Sequence, residues 1–310
     1  MTLKVALVGT GVIGRSWGIV FARAGHEVAF YDGAEGVVDH ALGEVDKSLA
    51  DMEAAGMIAS AGELRGRMGK AASLADALDG VAYVQESVKE DVGVKHAVFS
   101  AMAEAAPADA ILASSCSAIP PSKFLDVPTR ERCLIAHPIN PPHLVPCVEL
   151  VPSPWTAEDA VGRADAFLSE SGQATIRLRK EVEGFVVNRL QAAVMMEAVS
   201  LFARGIASAD DIDKSMRDGL GLRWSFMGPL ETMDLNADAG FASYVGMYGD
   251  AICSMGKDLR VAEPWDGKAI EGIEAERRDL VPGEDHAERR AWRDRRLMAL
   301  ARHKKDAEGS

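Results

Sequence analysis

A glycine-rich segment near the N-terminus has the residue types and the spacing of a phosphate-binding turn. Its sequence is Gly9-Thr10-Gly11-Val12-Ile13-Gly14. The segment follows a predicted strand at residues 3–8 and opens a predicted helix at residues 12–24. The first glycine permits a tight turn, the second lets a pyrophosphate approach the backbone, and the third lets the helix pack against the strand. The free N–H groups at the start of the helix attract phosphate. The segment therefore predicts a dinucleotide site.

A carboxylate at the end of the next predicted strand indicates which dinucleotide binds. Asp32 follows the strand at residues 26–31 and lies 18 residues after Gly14. A carboxylate there accepts hydrogen bonds from ribose hydroxyls and repels the additional phosphate of NADP. This arrangement favours NAD. FAD uses a similar fingerprint, and an ordinary glycine-rich turn followed by a strand-end Asp is the structural alternative.

The rest of the chain supplies elements that could position such a site. Apolar runs predict strands at residues 81–88, 110–113, 134–136 and 148–151, with helical patterns at residues 38–57 and 95–106. Alternation of this kind indicates a mostly parallel sheet covered by helices. Helical patterns dominate after residue 182, beginning with residues 185–203. We therefore predict an α/β protein. In this prediction a Rossmann-like, doubly wound NAD-binding domain spans residues 1–183, and an all-α domain spans residues 184–310; the family resemblance given below implies that the second domain binds substrate and forms the dimer.

Composition and charge exclude several other classes of function. The 310 residues carry a formal net charge of −13, which disfavours a nucleic-acid partner. The four cysteines form no C-x-x-C pair, and neither a signal-peptide pattern nor a membrane-spanning run is evident. We expect a cytoplasmic protein without a membrane partner.

His137, His143 and Cys147 are close in sequence and could suggest a metal site. Prolines interrupt them, so we predict no metal site.

Four further polar motifs follow one another in a characteristic order. They are Ser115-Cys116-Ser117 after one strand, His137-Pro138-Ile139-Asn140-Pro141 after another, Glu149 twelve residues beyond His137, and Gly184-Phe185-Val186-Val187-Asn188-Arg189 at the start of the second half. Together with the glycine-rich turn, this set resembles the 3-hydroxyacyl-CoA dehydrogenase family over essentially the whole chain.

The resemblance implies a catalytic role for each of four residues. His137 would be the general base that takes the proton of the substrate hydroxyl, and histidine suits this role because its ordinary pKa is near neutrality. Glu149 would orient the imidazole and stabilise its charged form. Ser117 and Asn188 would hydrogen-bond the reacting oxygen. Structural alternatives exist for each: a satisfied histidine, a strand-end carboxylate, a turn-capping serine and a helix-start asparagine.

The resemblance also implies contacts to the cofactor and to a second subunit. Glu90 and Lys95 match the positions that contact the nicotinamide half of NAD, although both could belong to a solvated helix end. The family dimerises through its helical domain, so a homodimer is expected. The apolar helix at residues 185–203 is compatible with that interface and equally with an internal core.

Three segments are most similar to the branch of the family that oxidises L-gulonate at carbon 3. They are residues 11–17, residues 136–142 and residues 228–233. Arg223, Glu231 and Asn236 are then candidates to bind a polar sugar acid. Pro138 and Ile139 replace paired aromatics common in the acyl-CoA enzymes, and residues 56–73 lack a clear basic match to their CoA-contacting region.

Other substrates and another class of protein remain open. 3-Hydroxyacyl-CoA, 3-hydroxybutyrate and carnitine require the same chemistry as L-gulonate. A non-catalytic NAD-binding or crystallin-like structural protein is the alternative of another class. Such a protein has no chemical need to retain His137, Glu149, Ser117 and Asn188 together.

Overall fold

The computed structural model describes residues 2–259 and 267–308. These residues form two compact units. The first unit contains the described residues up to Arg189 and those from Ala291 onward, and the second contains Leu190–Arg290. The domain boundary predicted between residues 183 and 184 stays a prediction.

The first unit alternates strands and helices, which confirms the predicted α/β class. Its elements are β1 (Lys4–Val8), α1 (Val12–Arg23), β2 (Glu27–Tyr31), α2 (Val37–Ala54), α3 (Ala61–Arg65), β3 (Met68–Lys70), α4 (Leu74–Leu78), β4 (Tyr83–Glu86), α5 (Val92–Ala105), β5 (Ile111–Ser114), β6 (Cys133–Pro138), β7 (Cys147–Pro152), α6 (Glu158–Glu170) and β8 (Ala174–Arg177).

The eight strands form one sheet in the order β3-β2-β1-β4-β5-β6-β7-β8. All neighbouring strands are parallel except β6 and β7, which are antiparallel. Along the chain, β2 and β3 are added on one side of β1, and β4 is then added on the other side of β1. This reversal opens a crevice beyond the carboxyl ends of β1 and β4, where doubly wound sheets bind their ligands.

Side chains alternate between the two faces of the sheet along each strand. Both faces are buried, each in its own apolar core. In β1, Val5 and Leu7 join a core with Trp17 and Phe21 of α1. Ala6 and Val8 point the other way, into the core that holds Phe99 of α5. This two-sided burial explains why the strands read as continuous apolar runs rather than as alternating ones.

The second unit is helical. Its helices are most of α7 (Val187–Ala203), then α8 (Ala209–Lys214), α9 (Gly221–Trp224), α10 (Pro229–Leu235), α11 (Phe241–Asp258) and α12 (Gly267–Leu280), before α13 (His286–Glu308) runs into the first unit. A π-helical segment, Ser215–Leu220, lies between α8 and α9. Within the described part of the chain, no helix has the length and apolar character to cross a membrane.

The helix predicted from residue 185 begins instead at Val187. Gly184 and Phe185 have φ values of 72° and 52°, in the left-handed region that cannot continue a right-handed helix. The Phe185 ring is fully buried in the same core as Phe99. Its apolar character is therefore used to anchor the turn before the helix, which helical periodicity alone does not reveal.

Candidate active site

The glycine-rich turn connects β1 to α1 and leaves room for a ligand at one glycine only. A Cβ added at Gly9, where φ is 90°, would lie 2.7 Å from backbone atoms of Ser87 and Val88. A Cβ at Gly14 would lie 2.1 Å from the carbonyl oxygen of Gly9. A Cβ at Gly11 would meet nothing within 4 Å. Gly9 and Gly14 therefore serve the packing of the protein itself, whereas Gly11 keeps a space open.

The N-terminus of α1 lies at this open space without a capping side chain. Gly11 is the N-cap residue and makes no side-chain hydrogen bond. Val12 is exposed in the first turn, and Ile13 packs against the core. Backbone N–H groups of a first helical turn have no intrahelical partner. These groups fit a pyrophosphate, as the sequence predicts.

Asp32 directly follows β2 and its carboxylate contacts the same turn. One oxygen accepts a hydrogen bond from the Thr10 backbone N–H at 3.0 Å, and the other accepts one from the Ala34 N–H at 3.1 Å. The carboxylate is thus fixed beside the glycine-rich turn. Each oxygen retains acceptor capacity for ribose hydroxyls. The contact of Asp32 with NAD stays a prediction.

His137 and Glu149 face each other across the antiparallel pair of β6 and β7. His137 Nδ1 lies 2.8 Å from Glu149 Oε2, and Glu149 is fully buried. The loop between the strands brings these residues, twelve apart in sequence, into direct register. With Nδ1 bound to a carboxylate, Nε2 is the ring nitrogen left for another partner. The geometry suits a general base with an orienting partner.

The second oxygen of Glu149 binds the turn that precedes α7. It accepts hydrogen bonds from the N–H groups of Val186 at 2.7 Å and Val187 at 3.0 Å. Burial opposes ionisation of Glu149, but hydrogen bonds from His137, Val187 and Val186 outweigh it and hold its pKa below the ordinary value. Phe185 lies edge-on to the His137 ring at 5.5 Å and further fixes it.

Asn188 links this dyad to Ser117. Its side-chain amide donates to the backbone carbonyl of Ser117 at 2.6 Å, one residue beyond the N–H groups that bind Glu149. The short segment of residues 186–188 therefore holds Glu149 and Ser117 together. The catalytic candidates His137, Glu149, Ser117 and Asn188 belong to one connected arrangement in the first unit.

Glu90 contacts the Ser117 segment rather than pointing into open space. Its carboxylate accepts hydrogen bonds from the Ser117 N–H at 2.6 Å, the Ser117 hydroxyl at 2.7 Å and the Ala118 N–H at 3.1 Å. The Cys116 thiol also donates to it, at 3.0 Å. Burial, followed by the hydrogen bond to Glu90 and the charge of Glu90, raises the pKa of the Cys116 thiol to about 12, so the thiol keeps its proton.

Lys95 is buried beside a carboxylate that the sequence reading did not single out. Its ammonium lies 2.9 Å and 3.0 Å from the two oxygens of Glu86, and the two residues are 1% and 0% exposed. Ser114 and the Val88 N–H also donate to Glu86, each at 2.6 Å. The ion pair thus ties α5 to the ends of β4 and β5. A direct contact between Lys95 and nicotinamide stays a prediction.

A second polar network, which is partly buried and was also not foreseen, supports the loop after β5. Ser115 Oγ is contacted by the Trp17 indole N–H at 3.2 Å, by Gln85 Nε2 at 2.7 Å and by Ser87 Oγ at 2.9 Å. The Tyr83 hydroxyl donates to Gln85 Oε1 at 2.8 Å. Polar residues inside otherwise apolar strands were the only signal for it. The network fixes the backbone that leads to Ser117.

The three substrate candidates all lie in the second unit. Arg223 lies in α9, Glu231 in the first turn of α10 and Asn236 at its C-cap, and all three side chains are exposed. Their contact with substrate stays a prediction.

No three His, Cys, Asp or Glu side chains among the described residues converge as metal ligands. A cavity of about 490 Å³ beside β2 and β3 contains none of the predicted site residues.

Comparison with known proteins identifies the family. Residues 4–182 match the NAD binding domain of 3-hydroxyacyl-CoA dehydrogenase, and residues 184–258 match its C-terminal domain. A lambda-crystallin homolog from Bos taurus is 41% identical, covering 97% of this chain and 95% of the relative. An L-carnitine dehydrogenase from Streptomyces griseus is 32% identical, covering 96% and 89%.

A solved structure extends the likeness to three dimensions. It is that of 5-formyl-3-hydroxy-2-methylpyridine 4-carboxylic acid 5-dehydrogenase, an NAD⁺-dependent dismutase, with a TM-score of 0.82 and 25% identity over 97% of this chain and 98% of that one. Both family domains are present here in order, and the predicted resemblance is confirmed. The chain belongs to the 3-hydroxyacyl-CoA dehydrogenase family and is an NAD-dependent oxidoreductase acting on CH–OH groups.

Proposed function

We propose that this protein oxidises the 3-hydroxyl group of a small polar hydroxy acid, L-gulonate, to the 3-keto acid. The observation that carries the chemistry is the buried dyad of His137 and Glu149, 2.8 Å apart. The substrate assignment is supported by the segments that resemble the L-gulonate branch and by the whole-chain similarity to lambda-crystallins. The departures from the acyl-CoA enzymes at Pro138 and Ile139 also favour a small polar substrate.

The residues divide the reaction between them. His137 Nε2 takes the proton of the substrate hydroxyl, and the ionised Glu149 stabilises the resulting imidazolium. The glycine-rich turn, the N-terminus of α1 and Asp32 would hold NAD, which would supply the acceptor for the hydride of the same carbon. Ser117 and Asn188 hydrogen-bond the substrate beside His137 and hold its hydroxyl toward Nε2. Arg223, Glu231 and Asn236 are proposed to bind its remaining polar groups.

A substrate panel tests this proposal. NADH formation is measured with L-gulonate beside 3-hydroxybutyrate, carnitine and a 3-hydroxyacyl-CoA. We expect L-gulonate to have the highest kcat/KM. His137→Ala should lower kcat by about 10²- to 10⁴-fold. His40→Ala, on the exposed surface of α2, is the matched control and should not.

Each contrary result has a distinct meaning. Preferred turnover of another acid that His137→Ala abolishes would keep the mechanism and replace the substrate. Full activity of His137→Ala would remove His137 as the base. NAD binding without turnover of any hydroxy acid would favour the crystallin-like or other non-catalytic alternative.

We also propose that the protein is a cytoplasmic homodimer. Apolar side chains are exposed on α7, including Leu190 and Met195, and along α11. Large exposed apolar patches are characteristic of interaction surfaces. A second copy of the same chain covers such a patch symmetrically.

A further inference from the structure

The hydroxyl of Ser115, in the loop after β5, has both of its lone pairs occupied. Its oxygen accepts hydrogen bonds from the Trp17 indole N–H at 3.2 Å and from Gln85 Nε2 at 2.7 Å. A serine oxygen has two lone pairs and one proton. The proton of Ser115 is therefore donated to its remaining neighbour, Ser87 Oγ, at 2.9 Å.

Neither of the two donors to Ser115 can reverse its role. The indole N–H of Trp17 is a donor only. The Gln85 amide is held in one orientation, since Nε2 also donates to the Ala136 carbonyl at 3.1 Å and Oε1 accepts from the Tyr83 hydroxyl at 2.8 Å. A carbonyl oxygen only accepts, so the nitrogen of the amide has to face Ala136. The direction of the hydrogen bond from Ser115 to Ser87 is thus fixed by the network.

Ser87 consequently has a proton that the protein does not use. Its oxygen accepts from Ser115, and the described residues offer this oxygen no second hydrogen-bond partner. Ser87 directly follows β4 and is partly exposed. A hydroxyl proton without a protein acceptor is available to a ligand or to water. Ser87 therefore presents a hydrogen-bond donor at the crevice beyond β1 and β4.

The position of Ser87 identifies the ligand that would meet this donor. Its N–H donates to the Val8 carbonyl at 2.7 Å, and its Cβ lies 3.5 Å from the place that a Cβ at Gly14 would take. The strand order β2-β1-β4-β5-β6 places it between the strand end at Asp32 and the strand that carries His137. A cofactor whose adenosine ribose binds Asp32 and whose nicotinamide reaches His137 has to pass the end of β4.

We propose that Ser87 is a cofactor-binding residue whose hydroxyl donates a hydrogen bond to NAD beyond its adenosine monophosphate part. The acceptor is an oxygen of the pyrophosphate or of the nicotinamide ribose. The inference concerns the cofactor and does not depend on which hydroxy acid the protein oxidises. No sequence motif indicated Ser87, because its role follows from a proton count across three separate segments of the chain.

Direct binding measurements on three proteins test this assignment without turnover. The proteins are wild type, Ser87→Ala and, as a matched control, Ser100→Ala, whose hydroxyl donates to a carbonyl within α5. Isothermal titration calorimetry gives the Kd of AMP, ADP, ADP-ribose and NAD for each protein. Thermal unfolding without cofactor gives the Tm of each variant.

For Ser87→Ala we expect the Kd of NAD and of ADP-ribose to rise about tenfold, as for one lost hydrogen bond, with the Kd of AMP and the Tm unchanged. Ser100→Ala should match wild type throughout. A rise that is already present with ADP assigns the acceptor to the pyrophosphate, and a rise that first appears with ADP-ribose assigns it to the ribose. An unchanged Kd for NAD, or an equal loss for AMP and NAD, would overturn the inference.

A second variant tests the direction of the hydrogen bond. Trp17→Phe removes one donor to Ser115, so a lone pair of Ser115 becomes available to the proton of Ser87. We expect Trp17→Phe to raise the Kd of NAD in the wild-type background and to add little in the Ser87→Ala background. Fully additive effects would contradict the fixed direction. Ser87→Ala alone decides the inference if Trp17→Phe lowers the Tm strongly.

Discussion

At the scale of single residues, four carboxylates share one structural task. Asp32, Glu86, Glu90 and Glu149 each accept at least one backbone N–H from a loop or turn at the candidate site. Charge-assisted hydrogen bonds of this kind are roughly twice as strong as neutral ones. Each carboxylate therefore fixes the local backbone while it also faces a second group. Acidic residues that the motifs assign to catalysis or cofactor binding therefore also hold the backbone of those motifs in place.

His143 gives a residue-scale prediction about pH. Burial lowers its pKa to about 4; the positive charges of Arg23 and Arg15 act in the same direction, and Asp294 opposes them. Its ordinary pKa is 6.5, so between these values the unfolded chain binds more protons than the folded one. Stability associated with neutral His143 is complete above pH 6.5 and is lost as pH falls toward 4.

The measurement compares urea unfolding of wild type and His143→Asn between pH 7 and pH 4. The amide does not titrate, so the difference in unfolding free energy should shift in favour of the variant by up to about 3 kcal/mol as pH falls. His40→Asn, at an exposed position on α2, should follow wild type. A difference between wild type and His143→Asn that stays constant with pH would mean that His143 is not the group responsible.

At the scale of elements, the glycine-rich turn separates packing from ligand binding. Gly11→Ala places a methyl group in open space, so we expect an unchanged Tm and a KM for NAD raised about tenfold or more. Gly14→Ala forces Cβ against the Gly9 carbonyl and should cost about 1–3 kcal/mol of stability. Thermal unfolding without cofactor, together with NAD titration, distinguishes the two. A large Tm loss in Gly11→Ala would contradict this division.

The same scale shows what the sequence can and cannot predict. The order strand, turn, helix made the phosphate-binding turn predictable. Gly9 and Gly14 are required by the packing of the backbone, and Gly11 leaves space for the ligand. The pairing of His137 with Glu149 depends on the register of β6 and β7. The spacing of the two residues in the sequence does not predict that register, and only the family resemblance indicated the pair. Burial of Lys95 against Glu86 was not predictable, since its partner belongs to a different element. Helical periodicity also missed the turn at Phe185, where tertiary packing overrides it.

At the scale of the whole molecule, α11 presents an exposed apolar stripe. Phe241, Val245, Tyr248, Ile252 and Met255 follow at intervals of four and three residues, and their exposure ranges from 40% to 59%. That spacing places all five on one helix face, as in the seam of paired helices. A symmetric contact between two copies would bury this face twice and fits the proposed homodimer.

A charge in the middle of the stripe should separate the subunits. Burying an unpaired ammonium in an apolar contact is costly, so Ile252→Lys should raise the dimer dissociation constant by about 100-fold or more. Analytical ultracentrifugation over a range of concentrations measures this dissociation constant, with circular dichroism to verify that α11 remains helical.

Leu280→Lys is the matched control, because Leu280 is also apolar and 52% exposed in the second unit but lies at the end of α12. A monomeric wild type at micromolar concentration would reject the homodimer. Equal dissociation of both variants would place the interface elsewhere, since the effect would then follow from added charge on the helical unit rather than from the α11 stripe.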